Sequence, residues 1–520
     1  MKTSKFFKLI SLILAFILLA LIFCSCGDKT DNSGNDNNKE NNNNNNAQNP
    51  EDSPSDGIES ESTTEEERLF ADLPEADYDG HEYNILTIGI PGSEQWENID
   101  LSAEAGSGDV VSDAVYRRNT AIEEKYNIII KEDHRMYDNF FSTMQKEIKA
   151  GTGAYDLFSP RVIDSSKYMQ EGYFINLLTA PNIDLTKPWY NQQGIEEMTI
   201  DDKLFIVMSD ILLSDNDATA ITIFNKKLLQ DYGLDDPYTL VKENKWTVDK
   251  LYQMAKATSK DLNGDGKMTP ADDQWGYLIW TDAMISYLHS GGQRLISKDS
   301  SGLPVVTFNT AKTYQVMDKA FILLYDENIT GNVQKPEFEN AGSESWSERE
   351  SVFESIFTSD RAAFSWVRLY MIPRLRMMET DFGILPVPKY DESIKGYPST
   401  VNVHHACTLG IPVTTDNLDR TTIIMEALAA ESRYTVQPAY YEVSLKTKHS
   451  RDDDSAAILD LILSNRVIDV GDVYNFGGLG GDFYGLALTN DSNLASFYEK
   501  HESAVLEAIN KTIENYQKLE

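Results

Sequence analysis

Between residues 261 and 272 the chain reads Asp-Leu-Asn-Gly-Asp-Gly-Lys-Met-Thr-Pro-Ala-Asp. This alternation of oxygen-bearing side chains with glycine suits a hard cation. Asp261, Asn263 and Asp265 stand at positions 1, 3 and 5 of a twelve-residue loop, Gly266 at the sharp turn, the Lys267 carbonyl at 7, Thr269 at 9 and Asp272 at 12. Calcium takes about six to eight oxygens, and this is the spacing of an EF-hand-type calcium loop. Asp272 is shorter than the glutamate usual at the last position, and an Asx-rich turn without metal is the plainer alternative. A single loop, rather than a tandem pair, points to a structural clamp and not to a sensor or docking module.

Other residues with chemical potential carry weaker signals. His404 and His405 are adjacent, so in a strand they would point to opposite faces, and spacing supplies no third metal ligand. Gly477 to Gly481 lacks the strand-before, helix-after context of a phosphate loop and reads as a flexible loop. Cys407 is the one cysteine beyond residue 26, which leaves no intramolecular disulfide in the body, and a buried structural role is the commoner state for such a thiol. Acid pairs are too abundant here to mark a catalytic dyad.

The elements that would position these groups begin with an export signal. Lys2, Lys5 and Lys8 precede an apolar run from Leu9 to Phe23, too short for a bilayer-spanning helix. The run ends Ser25-Cys26-Gly27, which resembles the lipobox of bacterial lipoproteins, with Cys26 the lipidated residue; Cys24 follows bulky Phe23 and fits less well. An ordinary signal peptide with incidental cysteines is the alternative. Loss of the three signal lysines takes the formal charge from −37 to −40. Nucleic acid and anionic headgroups are therefore excluded as partners, since both need clustered Lys and Arg. Residues 26–74 are Asn-, Asp-, Ser- and Glu-rich and read as a disordered tether.

The body alternates strand-like with helix-like segments. Tyr83–Ile90, Asn127–Ile130 and Tyr155–Phe158 read as strands. Val111, Val115, Ile122 and Tyr126 share one helical face, and Phe140–Ala150 reads as a helix stopped by Gly151. Such βαβα order predicts a parallel sheet with ligands at the carboxyl ends of its strands, which puts Ser159, Pro160 and Arg161 on a binding rim. Leu204–Val207 and Thr219–Phe224 are strand-like, and Leu494–Leu519 has helical spacing.

A set of short motifs then carries a resemblance. Tyr155-Asp156-Leu157, Glu171-Gly172-Tyr173, Phe224-Asn225-Lys226, Lys245-Trp246-Thr247, Ala362-Ala363-Phe364 and Phe382-Gly383-Ile384-Leu385-Pro386-Val387-Pro388 follow one another in an order similar to that of the sugar-type (family 1) extracellular solute-binding proteins of bacterial ABC importers. The resemblance covers nearly the whole body. It implies an α/β, two-lobed periplasmic-binding-protein type II-like fold with hinge and interlobe cleft. One lobe is expected at 75–217 plus 346–395. The other is expected at 218–345 plus 396–520, with the C-terminal helix packed on it.

The ligand implied is a carbohydrate, an oligosaccharide, whose ring faces stack on aromatic side chains and whose hydroxyls meet planar polar groups. The expected contacts sit at strand ends: Arg161, Asp217, Trp280, Asp282, Trp366 and Arg368, with a role in core or surface the alternative for each. Trp246 is expected to pack at a helix start, and Trp189-Tyr190 in cleft or core. The expected protein is a lipid-anchored monomeric receptor that hands its ligand to ABC permease subunits at the extracellular face of the membrane. A surface glycoside hydrolase is the rival, told apart by release of new reducing ends.

Overall fold

The computed structural model describes residues 68–89, 100–338, 346–445 and 453–519. The signal, Cys24, Cys26, Ile90 and the tether as far as residue 67 lie outside the described residues. Residues 68–74, expected in the tether, instead run against the body: the Arg68 guanidinium pairs with Glu431 at 2.6 Å, and the Leu69 N–H donates to the Tyr434 hydroxyl.

In chain order the strands are β1 His81–Gly89, β2 Ile128–Met136, β3 Leu157–Ser159, β4 Ala220–Asn225, β5 Trp275–Ile279, β6 Ile296–Lys298, β7 Pro304–Val306, β8 Thr330–Asn332, β9 Ala362–Arg368, β10 Phe382–Leu385, β11 Ser399–Thr400 and β12 Arg466–Val467. The first sheet has the order β2-β1-β3, with β1 parallel to both neighbours. Extended backbone continues it: Phe158 bridges Gly410, and Leu409 bridges Val207. Leu204–Val207 thus lies at this sheet's side through a single bridge rather than as a full strand.

The predicted helical face is the buried one. Val111, Val115, Ile122 and Tyr126 of the helix Val110–Tyr126 all point inward, and Asp109 caps its N-terminus by accepting from the Ser112 N–H. The helix Tyr137–Ala150 stops at Gly151, whose φ of 63° needs a residue without a Cβ penalty.

The second sheet has the order β10-β4-β9-β5-β8. β9 lies between β4 and β5, antiparallel to the first and parallel to the second. This corrects the expected division of the chain. Residues 346–395 belong with 220–338, because β9 and β10 pair with β4. Residues 403–434 belong with the first sheet, through the bridges at Cys407, Leu409 and Gly410 and through the helix Leu418–Tyr434, where the Thr421 carbonyl accepts from the Tyr83 hydroxyl.

Among the described residues, three neighbouring segments cross between the two sheets. Thr219 bridges Val401, the Val401 N–H donates to the Val467 carbonyl, and β11 pairs parallel with β12. The Asn402 N–H closes the ribbon on the Ala218 carbonyl at 3.0 Å.

The C-terminal helix, Leu494–Tyr516, does not keep to the second lobe. Phe497 packs on Phe308, whereas Thr512 donates to Gln170 and the Tyr516 hydroxyl reaches Met169 of the first. The glycine cluster is likewise not a loop. Gly477 and Gly478 take positive φ, and Gly480 and Gly481 open the helix Leu479–Thr489.

Candidate ligand-binding site

Three carboxyl strand ends meet where the chain crosses. Arg161 follows β3, Asp282 follows β5, and Arg368 ends β9. Arg161 is held on the first lobe: its Nε donates to Asp164 at 2.7 Å, its guanidinium lies 5.0 Å over the Tyr137 ring, and a second nitrogen donates to the His404 carbonyl at 3.2 Å. Asp282 accepts from the Asn402 amide at 2.8 Å and stands 3.9 Å from the Arg368 guanidinium. Arg368 in turn stacks 4.9 Å over Tyr370, whose hydroxyl donates to Glu350 at 2.6 Å.

His404 is the centre of this group. It sits in a turn rather than a strand, its N–H donating to the Asn402 side chain, and its ring meets Tyr484 edge-on at 5.6 Å. Burial holds its pKa below the ordinary value; Asp282 opposes that shift, and Arg161 adds to it. The shift favours the neutral imidazole. Arg161, Asp282 and Arg368 are thus brought together, with the rings of Tyr137, Tyr370 and Tyr484 packed around them.

The other three expected contacts fall elsewhere. Trp366 is 1 % exposed, in register with Thr222 inside the second sheet, and is corrected to a core residue: its strand continues two residues further before reaching the edge. Asp217 accepts from the Tyr440 hydroxyl at 2.9 Å, away from the His404 group, and burial pushes its pKa up to about 7. Trp280 is buried in the core just before Asp282. Trp189 and Tyr190, left open between cleft and core, are core: both donate to Glu426, at 3.2 and 2.6 Å. Trp246 is fully buried ahead of a helix capped by Thr247.

Asp472, Tyr484 and Asn402 carried no signal in the sequence. The Tyr484 hydroxyl lies 2.8 Å from each Asp472 oxygen, and burial drives the Asp472 pKa up to about 8, with Asp469 and Asp282 adding to the shift. A carboxyl raised this way contributes stability that is fully present below its unfolded pKa of 3.8 and is lost as pH rises through about 8. Asp472→Asn should therefore flatten the fall in stability across that window, measured as Tm against pH; an unchanged slope would place the titration on another group.

Thr400, His289 and Asp469 form a hydrogen-bonded chain, 2.8 and 3.2 Å, that superficially resembles a hydrolytic triad. All three are buried, and Asp469 also accepts from the Leu295, Ile296 and Gly471 N–H groups. The chain pins β11 to the helix Ala283–Ser290 and is closed off from solvent.

In the 261–272 loop, Asp261 accepts from the Gly264 and Gly266 N–H groups, Asn263 from that of Asp265, and Asp265 from that of Lys267, at 2.6 to 2.9 Å. The loop is closed by Asp273 rather than Asp272: Asp273 accepts from Leu262 and Thr269, whereas Asp272 is exposed. Among the described residues no three His, Cys, Asp or Glu side chains are gathered as a metal cluster. The oxygens of Asp261, Asn263 and Asp265 are turned into the loop, whereas Asp272, expected to close it, is not.

Two sheets joined by a three-segment crossing, with a polar group at their shared carboxyl edge, are the two-lobed, type II-like fold of periplasmic binding proteins. Solved structures similar in fold include an ABC substrate-binding protein of Listeria monocytogenes in complex with cycloalternan (13 % identity, 84 % of this chain, 100 % of that one, TM-score 0.51). UspC of M. tuberculosis gives 14 %, 82 %, 100 % and 0.52, and a cyclo/maltodextrin-binding protein complexed with maltotetraose gives 14 %, 85 %, 99 % and 0.51. No family model matches the chain, nor does any curated protein.

Proposed function

We propose that this chain is a lipid-anchored, non-enzymatic solute receptor of the extracellular face, which binds a carbohydrate, an oligosaccharide, and delivers it as a monomer to ABC permease subunits. The observation that carries this reading is the grouping of Arg161, Asp282 and Arg368 with tyrosine rings around His404. Alternating donors and acceptors suit hydroxyls, and the rings suit a sugar's apolar face. Ligand closure would then rotate the lobes about the crossing segments.

The test is a glycan panel scored by melting temperature, since ligand at about 100 times its Kd stabilises by about 2.7 kcal/mol. The glycan should be recovered intact; new reducing ends would move the reading to a glycoside hydrolase. Anchoring rests on Cys26, so Cys26→Ser should shift the protein from the membrane fraction to the medium, and retention with unchanged lipid labelling would sink that part.

A structural calcium ion in the 261–272 loop belongs to the same reading. It would be held by Asp261, Asn263, Asp265, the Lys267 carbonyl and Thr269, with Asp272 reaching in. Chelator should lower Tm, and Asp265→Ala should remove that sensitivity. A wild-type melting curve indifferent to chelator and calcium would make the loop a turn.

A further inference from the structure

A cavity of about 580 Å³ lies beside the crossing segments and shares no residue with the His404 group. Its walls come from both lobes: Gln193 and Glu196 from the first, Arg294 and Pro398 from the second, and Asn465 and Arg466 from the return crossing. Among the described residues the Gln193 amide has no hydrogen-bond partner and the Glu196 carboxylate no ion pair. Arg294 gives one bond to the Gln293 carbonyl at 3.1 Å and acts electrostatically on Glu197, and Lys298 donates to the Glu196 carbonyl. Arg466 is matched by Asp215 at 2.8 Å. With the adjoining groups included the charges cancel, Arg294, Arg466 and Lys298 against Glu196, Glu197 and Asp215. What remains is a set of planar donors and acceptors without net charge, in a volume within the ligand-sized range of about 300–1,000 Å³.

We propose that this cavity is a second binding site, for a small neutral polyhydroxylated ligand of mono- to disaccharide size. A phosphate or carboxylate ligand fits it less well, because Glu196 opposes a second negative charge. Because both lobes contribute walls, an occupant is sensitive to their relative rotation, and its binding is linked to whatever the His404 group binds.

The test uses the full chain and saturation-transfer NMR with sucrose, maltose, trehalose and, as the anionic probe, glucose 6-phosphate. Arg294→Gln addresses this site and Asp282→Asn the His404 group, so failure of the proposed receptor function and failure of this inference separate. At least one neutral disaccharide should bind saturably in wild type and in Asp282→Asn, and should weaken at least tenfold in Arg294→Gln, whose circular dichroism should match wild type. Any outcome in which no neutral probe depends on Arg294 overturns the proposal. So does binding of glucose 6-phosphate that is tighter than that of the neutral probes and is lost in Arg294→Gln.

Discussion

Trp366→Ala is expected to destabilise the protein by about 3–5 kcal/mol, the range for removing a large buried aromatic side chain from a core that relaxes only in part. The indole is 1 % exposed, on a central strand of the second sheet, and among the described residues its Nε1 has no hydrogen-bond partner. That orphan makes Trp366→Phe the informative companion: it removes a buried donor that found no acceptor, and so should cost clearly less than alanine. Urea denaturation of the two variants decides. A small loss for alanine accompanied by weakened glycan binding would instead make Trp366 a stacking platform in the cleft.

Asp282→Asn should lower affinity for the tightest glycan of the panel by about 1.5–3 kcal/mol, or roughly 10- to 150-fold, the range for hydrogen bonds to a charged group. The change keeps the shape of the side chain and one oxygen for the Asn402 amide, so Tm should move little. The carboxylate is partly open to solvent, 19 % exposed, between Asn402 and Arg368, and is the acceptor in the group best placed for sugar hydroxyls. Titration calorimetry showing unchanged affinity would remove the His404 group from the site.

What the sequence disclosed follows from how local each feature is. The face of the helix Val110–Tyr126, the stop at Gly151 and the parallel β1 to β3 core are set by neighbours a few residues apart and were legible. The lobe division was not, because β9 is inserted between β4 and β5, and pairing across about 140 residues leaves no periodic trace. Arg161, Asp282 and Arg368, picked out at strand ends, come together around His404 in the folded chain. The same reading misplaced Trp366 because its strand runs on to Arg368, four residues beyond its apolar start Ala362–Phe364. Asp472 and Tyr484 arrive from the helices Val470–Tyr474 and Leu479–Thr489, distant in sequence from His404, so only the folded chain brings them together.

The three crossing segments have a mechanical consequence. Lying side by side and joined by backbone hydrogen bonds, they behave as a leaf spring. Sliding one segment past another would break those bonds, whereas folding the ribbon across its width needs only small dihedral changes in a few residues. The stiff directions are thus shear and twist, and the soft one is a single bend, so one distance across the crossing, between spin labels on the two lobes, is enough to follow the whole motion.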